Sequence, residues 1–176
     1  MRIIGKLALP ATVIALTLAG CSTDTITTIE EGSLGSIAVS TSANVDRPWT
    51  GSCDVLPVFT SETTLTYTGT CQLAHLGRAT VSADQTLGSP DPTTGVIAYT
   101  NIATYTAANG DQLRVLGAGT ATPNATGVTL AGSETADGGT GRFADASGSA
   151  TLAGAVVLAG PPPAVGFYSV TGTLNY

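Results

Sequence analysis

The sequence predicts an all-β domain, a small closed antiparallel β-barrel of about eight strands. Beyond residue 20, no segment keeps apolar residues at helical spacing over three turns. From Trp49 onward, runs in which Thr, Val, Leu, Tyr and Ala alternate are separated by breaks that contain Gly. Closure into a barrel suits so many short strands because it leaves no exposed sheet edge. A β-sandwich of the same strands is the alternative, and a β-solenoid is a third arrangement because Gly-Thr-Ala sequences recur without a fixed period.

The strand boundaries follow from the alternation and its breaks. The predicted strands cover residues 35–43, 62–73, 76–84, 95–107, 112–122, 127–135, 147–159 and 165–175. Three consecutive prolines at 161–163 separate the last two strands, since proline cannot donate to a sheet ladder.

The most specific turn signal is Asn109-Gly110, which lies between two alternating runs. A two-residue loop at this dipeptide pairs Thr106 with Leu113 and Tyr105 with Arg114. This register predicts that Leu113, with Ile102 and Val115, points inward, and that Tyr105 and Arg114 lie on the wetter outer face. If that second face lined the barrel instead, Tyr105 and Arg114 would hold an anionic or aromatic ligand.

The N-terminal region has the features of an export signal. Two basic residues precede an uncharged apolar stretch at 7–18, which is too short to span a bilayer. The tetrapeptide Leu18-Ala19-Gly20-Cys21 resembles the lipobox of bacterial lipoproteins, which implies cleavage before Cys21 and a diacylglyceryl group on its thiol. We therefore divide the chain into a signal peptide at 1–20, a polar tether at 21–32 and a β-barrel domain at 33–176.

Net charge restricts the partners of the exported chain. After residue 20 it holds twelve acidic residues, four arginines and no lysine, a side-chain charge of −8. Nucleic acid is excluded because its binding needs a basic face. An anionic membrane surface would repel the chain, so membrane attachment is expected to come from the lipid. Ser22 after the lipidated cysteine favours the outer membrane, by resemblance to lipoproteins of diderm bacteria.

Two cysteines remain in the exported domain, Cys53 and Cys71. An even pair in an oxidising compartment predicts a disulfide. Closing a loop of about 19 residues removes roughly 3 kcal/mol of unfolded-chain entropy.

The segment GGTGRFADASG at 138–148 is the most distinctive in the chain. It resembles the GGTG-x-F-x-x-A-x-G signature of plant dirigent proteins and is similar to bacterial proteins of the allene-oxide-cyclase barrel-like group. The hairpin at 105–111 is similar to a second element of those bacterial sequences. The resemblance implies an eight-stranded antiparallel barrel over residues 50–176, and related barrels often form trimers or dimers. Ser147 stands where dirigent proteins usually carry Arg, and their catalytic acids have no counterpart here, so the resemblance implies a fold and no activity.

Local chemistry gives this segment a structural role. Phe143 is expected to insert into one end of the barrel, and Thr140 to cap the turn that follows it. A phosphate loop is excluded because it needs a lysine, which the exported chain lacks.

Four residues are candidates for ligand binding: Tyr67, His75, Tyr105 and Arg114. His75 is the only histidine and shares its alternation with Tyr67 and Leu73, which predicts a place on an apolar face. A structural role or a position at a strand end is the alternative. No zinc ligand set, calcium loop or nucleophile elbow is recognisable, so no metal, cofactor or catalytic residue is predicted.

These observations predict a lipid-anchored, non-enzymatic β-barrel protein of the bacterial envelope that binds a small apolar ligand or a protein partner. One alternative is a cyclase-like or dirigent-like barrel that guides a reactive apolar substrate. The other is a purely structural envelope lipoprotein.

Overall fold

The computed structural model describes residues 45–158 and 163–176, which form a closed antiparallel β-barrel. Each strand pairs with its neighbours in the sequence, and the last strand pairs with the first. This confirms the predicted fold class. The strands are β1 (Arg47–Phe59), β2 (Thr64–Leu73), β3 (Gly77–Leu87), β4 (Ile97–Ala107), β5 (Gln112–Asn124), β6 (Gly127–Gly139), β7 (Ser147–Val157) and β8 (Val165–Asn175).

Seven of the predicted strands are confirmed with shifts at their ends, and the first strand of the barrel is one that is not predicted from the sequence. The strand that opens the barrel is Arg47–Phe59, whereas the predicted strand at 35–43 lies outside the described residues. Two prolines obscured the alternation of buried residues within this segment. Pro48 stands at the start of β1, and Pro57 lies where β1 pairs with β2 alone, so both occupy places near strand ends.

The predicted register of the β4–β5 hairpin is wrong by one residue. Thr106 pairs with Gln112 and Tyr105 with Leu113, because the loop holds three residues, 108–110, rather than two. Gly110 has φ +90°, which is typical of the last position of such a loop. A slip of one residue exchanges the two faces of a strand. Tyr105 therefore points inward and is fully buried, while Ile102 is 48% exposed.

One end of the barrel is closed by side chains. Phe143 is carried by a short 3-10 helix (Gly141–Phe143) between β6 and β7 and is 0% exposed, which confirms its predicted insertion. Its ring lies 4.8 Å from that of Tyr176, and Trp49 and Leu174 are buried at the same end. The expectation for Thr140 is wrong, because its side chain caps no helical N–H and accepts from the backbone N–H of Gln112 at 3.0 Å.

Arg142 joins three loops at this closed end. Its guanidinium donates to the carbonyl oxygen of His75 at 2.8 Å and lies 3.7 Å from the carboxylate of Asp111. The same group lies 4.8 Å from the ring centre of Phe143 and 5.8 Å from that of Tyr176. The segment that resembles the dirigent signature thus fastens the closed end of the barrel.

The predicted disulfide between Cys53 and Cys71 is present. The two residues are direct partners in the β1–β2 ladder, and both are buried. No helix in the described part of the chain is long and apolar enough to cross a membrane.

Candidate functional site

The opposite end of the barrel is open and holds a cavity of about 260 Å³. All eight strands contribute to its wall, and most of the side chains that line it are apolar. The apolar lining includes Val55, Leu65, Leu87, Ile97, Ala121, Val128, Leu130, Leu152 and Val156. A concave apolar chamber with a few polar groups is the usual form of a small-molecule site.

Most polar groups of the cavity are at its inner end, where five lining residues carry hydroxyl or amide groups: Tyr67, Gln85, Tyr99, Asn101 and Tyr168. The side-chain amide of Asn101 donates to the hydroxyl of Tyr67 at 2.6 Å. The rings of Tyr67 and Tyr168 meet edge to face at 6.4 Å. These contacts fix the orientation of the aromatic side chains around the cavity floor.

A carboxyl group lies beneath this floor. Glu134 of β6 is 0% exposed, and both of its oxygens are within hydrogen-bond distance of the Tyr105 hydroxyl, at 2.9 and 3.0 Å. The Tyr105 oxygen is also 3.0 Å from that of Tyr168. When Glu134 is ionised, the single hydroxyl proton of Tyr105 goes to the carboxylate, so Tyr168 must donate to Tyr105. A hydrogen-bonded chain then runs from the cavity wall to a buried acid.

The environment of Glu134 favours its neutral form. Burial raises its pKa to about 7, and the hydrogen bond from Tyr105 offsets only part of this rise. Neither of the two ion pairs in the described part of the chain involves Glu134. The carboxyl therefore gains or loses a proton near neutral pH, a range useful for proton exchange.

Burial also keeps the tyrosines protonated. It raises the pKa of Tyr67, Tyr105 and Tyr168 well above the ordinary value, and the charge of Glu134 adds to the effect. The pKa of Tyr99 rises to about 12 for the same two reasons. All four phenols therefore keep a proton at physiological pH that can be donated in a hydrogen bond.

Glycines in the neighbouring strands make room for these side chains. Gly117 of β5 pairs with Asn101 on one side and Glu134 on the other, and a Cβ at Gly117 would overlap the amide oxygen of Asn101. That oxygen has no hydrogen-bond partner and lies against the Gly117 backbone, where a Cα–H contact is available. Gly119 and Gly132 accommodate Tyr99, because a Cβ at either would lie 2.7 or 2.8 Å from its hydroxyl.

The structure brings together two of the four predicted ligand residues. Tyr67 and Tyr105 both point into the barrel and belong to the polar group at its centre. Arg114 lies outside, where its guanidinium contacts Asp137 at 2.7 Å. The placement of His75 on an apolar face is wrong, because it is exposed in the β2–β3 turn, where it adopts φ +67°.

Sequence reasoning missed Tyr99, Asn101, Glu134 and Tyr168 as parts of one site. The local pattern around Glu134, with polar or small residues at most neighbouring positions, gives no sign that position 134 faces inward. For Tyr99 and Asn101 a signal existed, since both share the alternation of Tyr105. The wrong hairpin register placed all three residues on the outside.

No group of three His, Cys, Asp or Glu side chains in residues 45–158 and 163–176 lies close enough to hold a metal ion. No protein-family model matches the sequence, and no curated protein matches it either. The barrel agrees with the fold that the dirigent and cyclase resemblance implies, whereas membership of that group stays a prediction.

Proposed function

We propose that this protein binds a small, mainly apolar ligand in the open end of its barrel, without catalysis, while a lipid holds it at the bacterial envelope. The observation that carries the proposal is the apolar cavity of about 260 Å³. Close packing normally leaves few voids larger than a water molecule in a protein interior. Apolar side chains around an accessible chamber leave surface in contact with water, and an apolar ligand would remove that contact.

The lipid anchor is supported by the apolar stretch at 7–18 and the lipobox-like sequence that ends at Cys21. The described chain enters the barrel at Arg47, which lies at the closed end. Arg47 is therefore at the end of the barrel opposite the cavity mouth.

A second candidate function is guidance of a reactive apolar substrate, as in the cyclase-like alternative. The specific observation that favours it is the chain of hydroxyls from Tyr168 through Tyr105 to Glu134, whose pKa of about 7 suits proton exchange. Carrier function is the better supported of the two because Glu134 itself is enclosed beneath the cavity floor.

The test is mass spectrometry of the protein purified from its own host. Under native conditions we expect a bound small molecule that is lost on denaturation, and under denaturing conditions we expect the mass of a chain that begins at an acylated Cys21. Ala121→Phe places a ring in the cavity and is expected to abolish the bound molecule. Ala118→Phe makes the same change on the outer face of β5 and is the matched control.

The outcomes separate the three functions. A bound, unchanged molecule that only Ala121→Phe removes supports a carrier. A molecule that the purified protein converts to an isomer supports the cyclase-like alternative. An empty barrel that also fails to bind a neutral fluorescent hydrocarbon would favour a purely structural lipoprotein.

A further inference from the structure

The hydroxyl of Tyr99 is a polar group of the cavity floor that makes no hydrogen bond within the described part of the chain. Tyr99 is 5% exposed, and its side chain lines the cavity. Its hydroxyl has no hydrogen-bond partner in the described part of the chain, and burial and the charge of Glu134 are the only influences on its pKa. A ligand that displaces water from this hydroxyl leaves it unsatisfied unless the ligand itself accepts a hydrogen bond.

Two glycines leave the space that this hydroxyl occupies. Gly119 and Gly132 face each other across β5 and β6, and the Tyr99 oxygen lies over both. Among the described residues, the amide oxygen of Asn101 is an unpaired polar atom that is fully enclosed, whereas the Tyr99 oxygen is not fully enclosed. The Tyr99 oxygen therefore keeps some accessible surface. The unused donor is therefore accessible from the cavity.

The other hydroxyls of the floor already have partners. Tyr67 accepts from Asn101 at 2.6 Å, and Tyr168 is bonded to Tyr105 at 3.0 Å. Because its pKa is raised to about 12, Tyr99 keeps its proton at physiological pH and offers one donor to a ligand.

Charges around the cavity exclude an ionised ligand group. The lining contains Glu62 at the mouth and no Lys, Arg or His, and the carboxyl of Glu134 lies behind the floor. An anion would lose its hydration without gaining a cation. A cation would find Glu134 enclosed, with both oxygens already bonded to Tyr105.

We propose that the cavity selects a neutral apolar ligand that carries one hydrogen-bond acceptor oxygen, as in a ketone or an ester, and that the Tyr99 hydroxyl donates to this oxygen. The inference rests on the proposed ligand-binding function and names the class of ligand.

The test compares four ligands of equal chain length: a straight-chain methyl ketone, the alkane, the carboxylate and the primary amine. We expect the purified protein to bind the ketone more tightly than either ion, because neither ion gains a partner of opposite charge. The ketone exchanges its hydrogen bond to water for one to Tyr99, so the ratio of its affinity to that of the alkane depends on the Tyr99 hydroxyl. An isotope-labelled carbonyl gives a second readout, since its stretching frequency in the infrared falls when it accepts a hydrogen bond.

The variants assign the donor. Tyr99→Phe is expected to lower the affinity for the ketone about tenfold relative to that for the alkane and to remove the infrared shift. Tyr176→Phe makes the same change at the closed end, outside the cavity lining, and is the matched control that keeps both. An unchanged ratio of ketone to alkane affinity in Tyr99→Phe, tighter binding of an ion, or a fall of that ratio only in Tyr67→Phe or Gln85→Leu would overturn the inference and leave the ligand-binding function standing. Binding of none of the four ligands would overturn both. The infrared shift in the unmodified protein decides the matter if Tyr99→Phe does not fold.

Discussion

At the scale of single residues, the buried carboxyl of Glu134 dominates the energetics of the interior. It is 0% exposed, is hydrogen-bonded by Tyr105 and forms no ion pair in the described part of the barrel. Ionising a carboxyl group in such a place costs free energy, so the folded protein binds the carboxyl proton more tightly than the unfolded chain does. The rise of its pKa from 4.5 to about 7 is therefore also a statement about stability.

Replacing Glu134 by Gln is expected to remove a pH dependence of the free energy of unfolding. Between the unfolded pKa of 4.5 and the folded pKa of about 7, the native protein binds the proton more tightly than the unfolded chain does. Stability is thus full below this window, falls as pH rises through it and levels off above it. From about pH 5 to about pH 8 this group alone lowers the free energy of unfolding by about 2 kcal/mol. Urea unfolding of both proteins at the two pH values measures the difference.

The other groups with shifted pKa values titrate outside this pH range. The pKa of Asp91 is lowered from 3.8, and those of the buried tyrosines are raised from 10.0, so these groups titrate on either side of it. Glu62→Gln, which removes an exposed carboxyl at the cavity mouth, is expected to keep the wild-type slope. Equal slopes in Glu134→Gln and the wild type would contradict the assignment.

At the scale of strands and turns, the sequence predicts seven of the eight strands and the class of fold. Alternation is a strong signal where each strand has one wet face and one buried face, as in β2 and β4. It fails in β1, where prolines interrupt the pattern. It also fails at the turn 108–110, because Asn-Gly is compatible with loops of two or three residues and one residue decides which face is inside.

This error of one residue concealed the candidate site. With the correct register, Tyr99, Asn101 and Tyr105 share the inner face of β4, and Gly117 and Gly119 of β5 lie opposite the first two. The glycines could not be understood from sequence alone, because their role is to leave space for side chains of the adjacent strand. The site is therefore a property of strand pairing rather than of any local motif.

The Tyr99 hydroxyl of β4 reaches across β5 to Gly132 of β6, which predicts a measurable coupling between two strands that are not paired. Gly132→Ala places a Cβ 2.8 Å from the Tyr99 hydroxyl and 2.5 Å from the carbonyl oxygen of Ala118. This overpacking is expected to lower the free energy of unfolding by about 1–3 kcal/mol. Adding Tyr99→Phe removes the first contact and is expected to recover at least about 0.5 kcal/mol as a coupling term in a double-mutant cycle.

The control for this cycle is Gly154→Ala in β7, which overpacks against Phe167 and Tyr168 instead. Its effect is expected to add to that of Tyr99→Phe without coupling. A coupling of the same size in both cycles would mean that Tyr99→Phe relaxes the whole barrel rather than the contact with Gly132.

At the scale of the whole molecule, the two ends of the barrel have different tasks. The closed end contains Trp49, Phe143 and Leu174, all fully buried, and Arg142 joins its loops. The open end contains the cavity and its polar floor. The distinctive segment at 138–148 is a local motif that belongs to the closed end. The cavity has no such motif, because side chains of all eight strands form it.

This division predicts that stability and ligand binding respond to different substitutions. Phe143→Ala removes a ring that is 0% exposed at the closed end and is expected to lower the free energy of unfolding by about 3–5 kcal/mol. Because the ring does not line the cavity, the dissociation constant of a bound hydrocarbon probe should stay unchanged while the barrel is folded. Leu152→Ala, at a position that belongs to both the core and the cavity wall, is expected to change both quantities. Denaturant unfolding and fluorescence titration of the two variants measure them separately. A weaker affinity in Phe143→Ala under conditions where it is fully folded would show that the closed end controls the shape of the cavity, and the two ends would then form one cooperative unit.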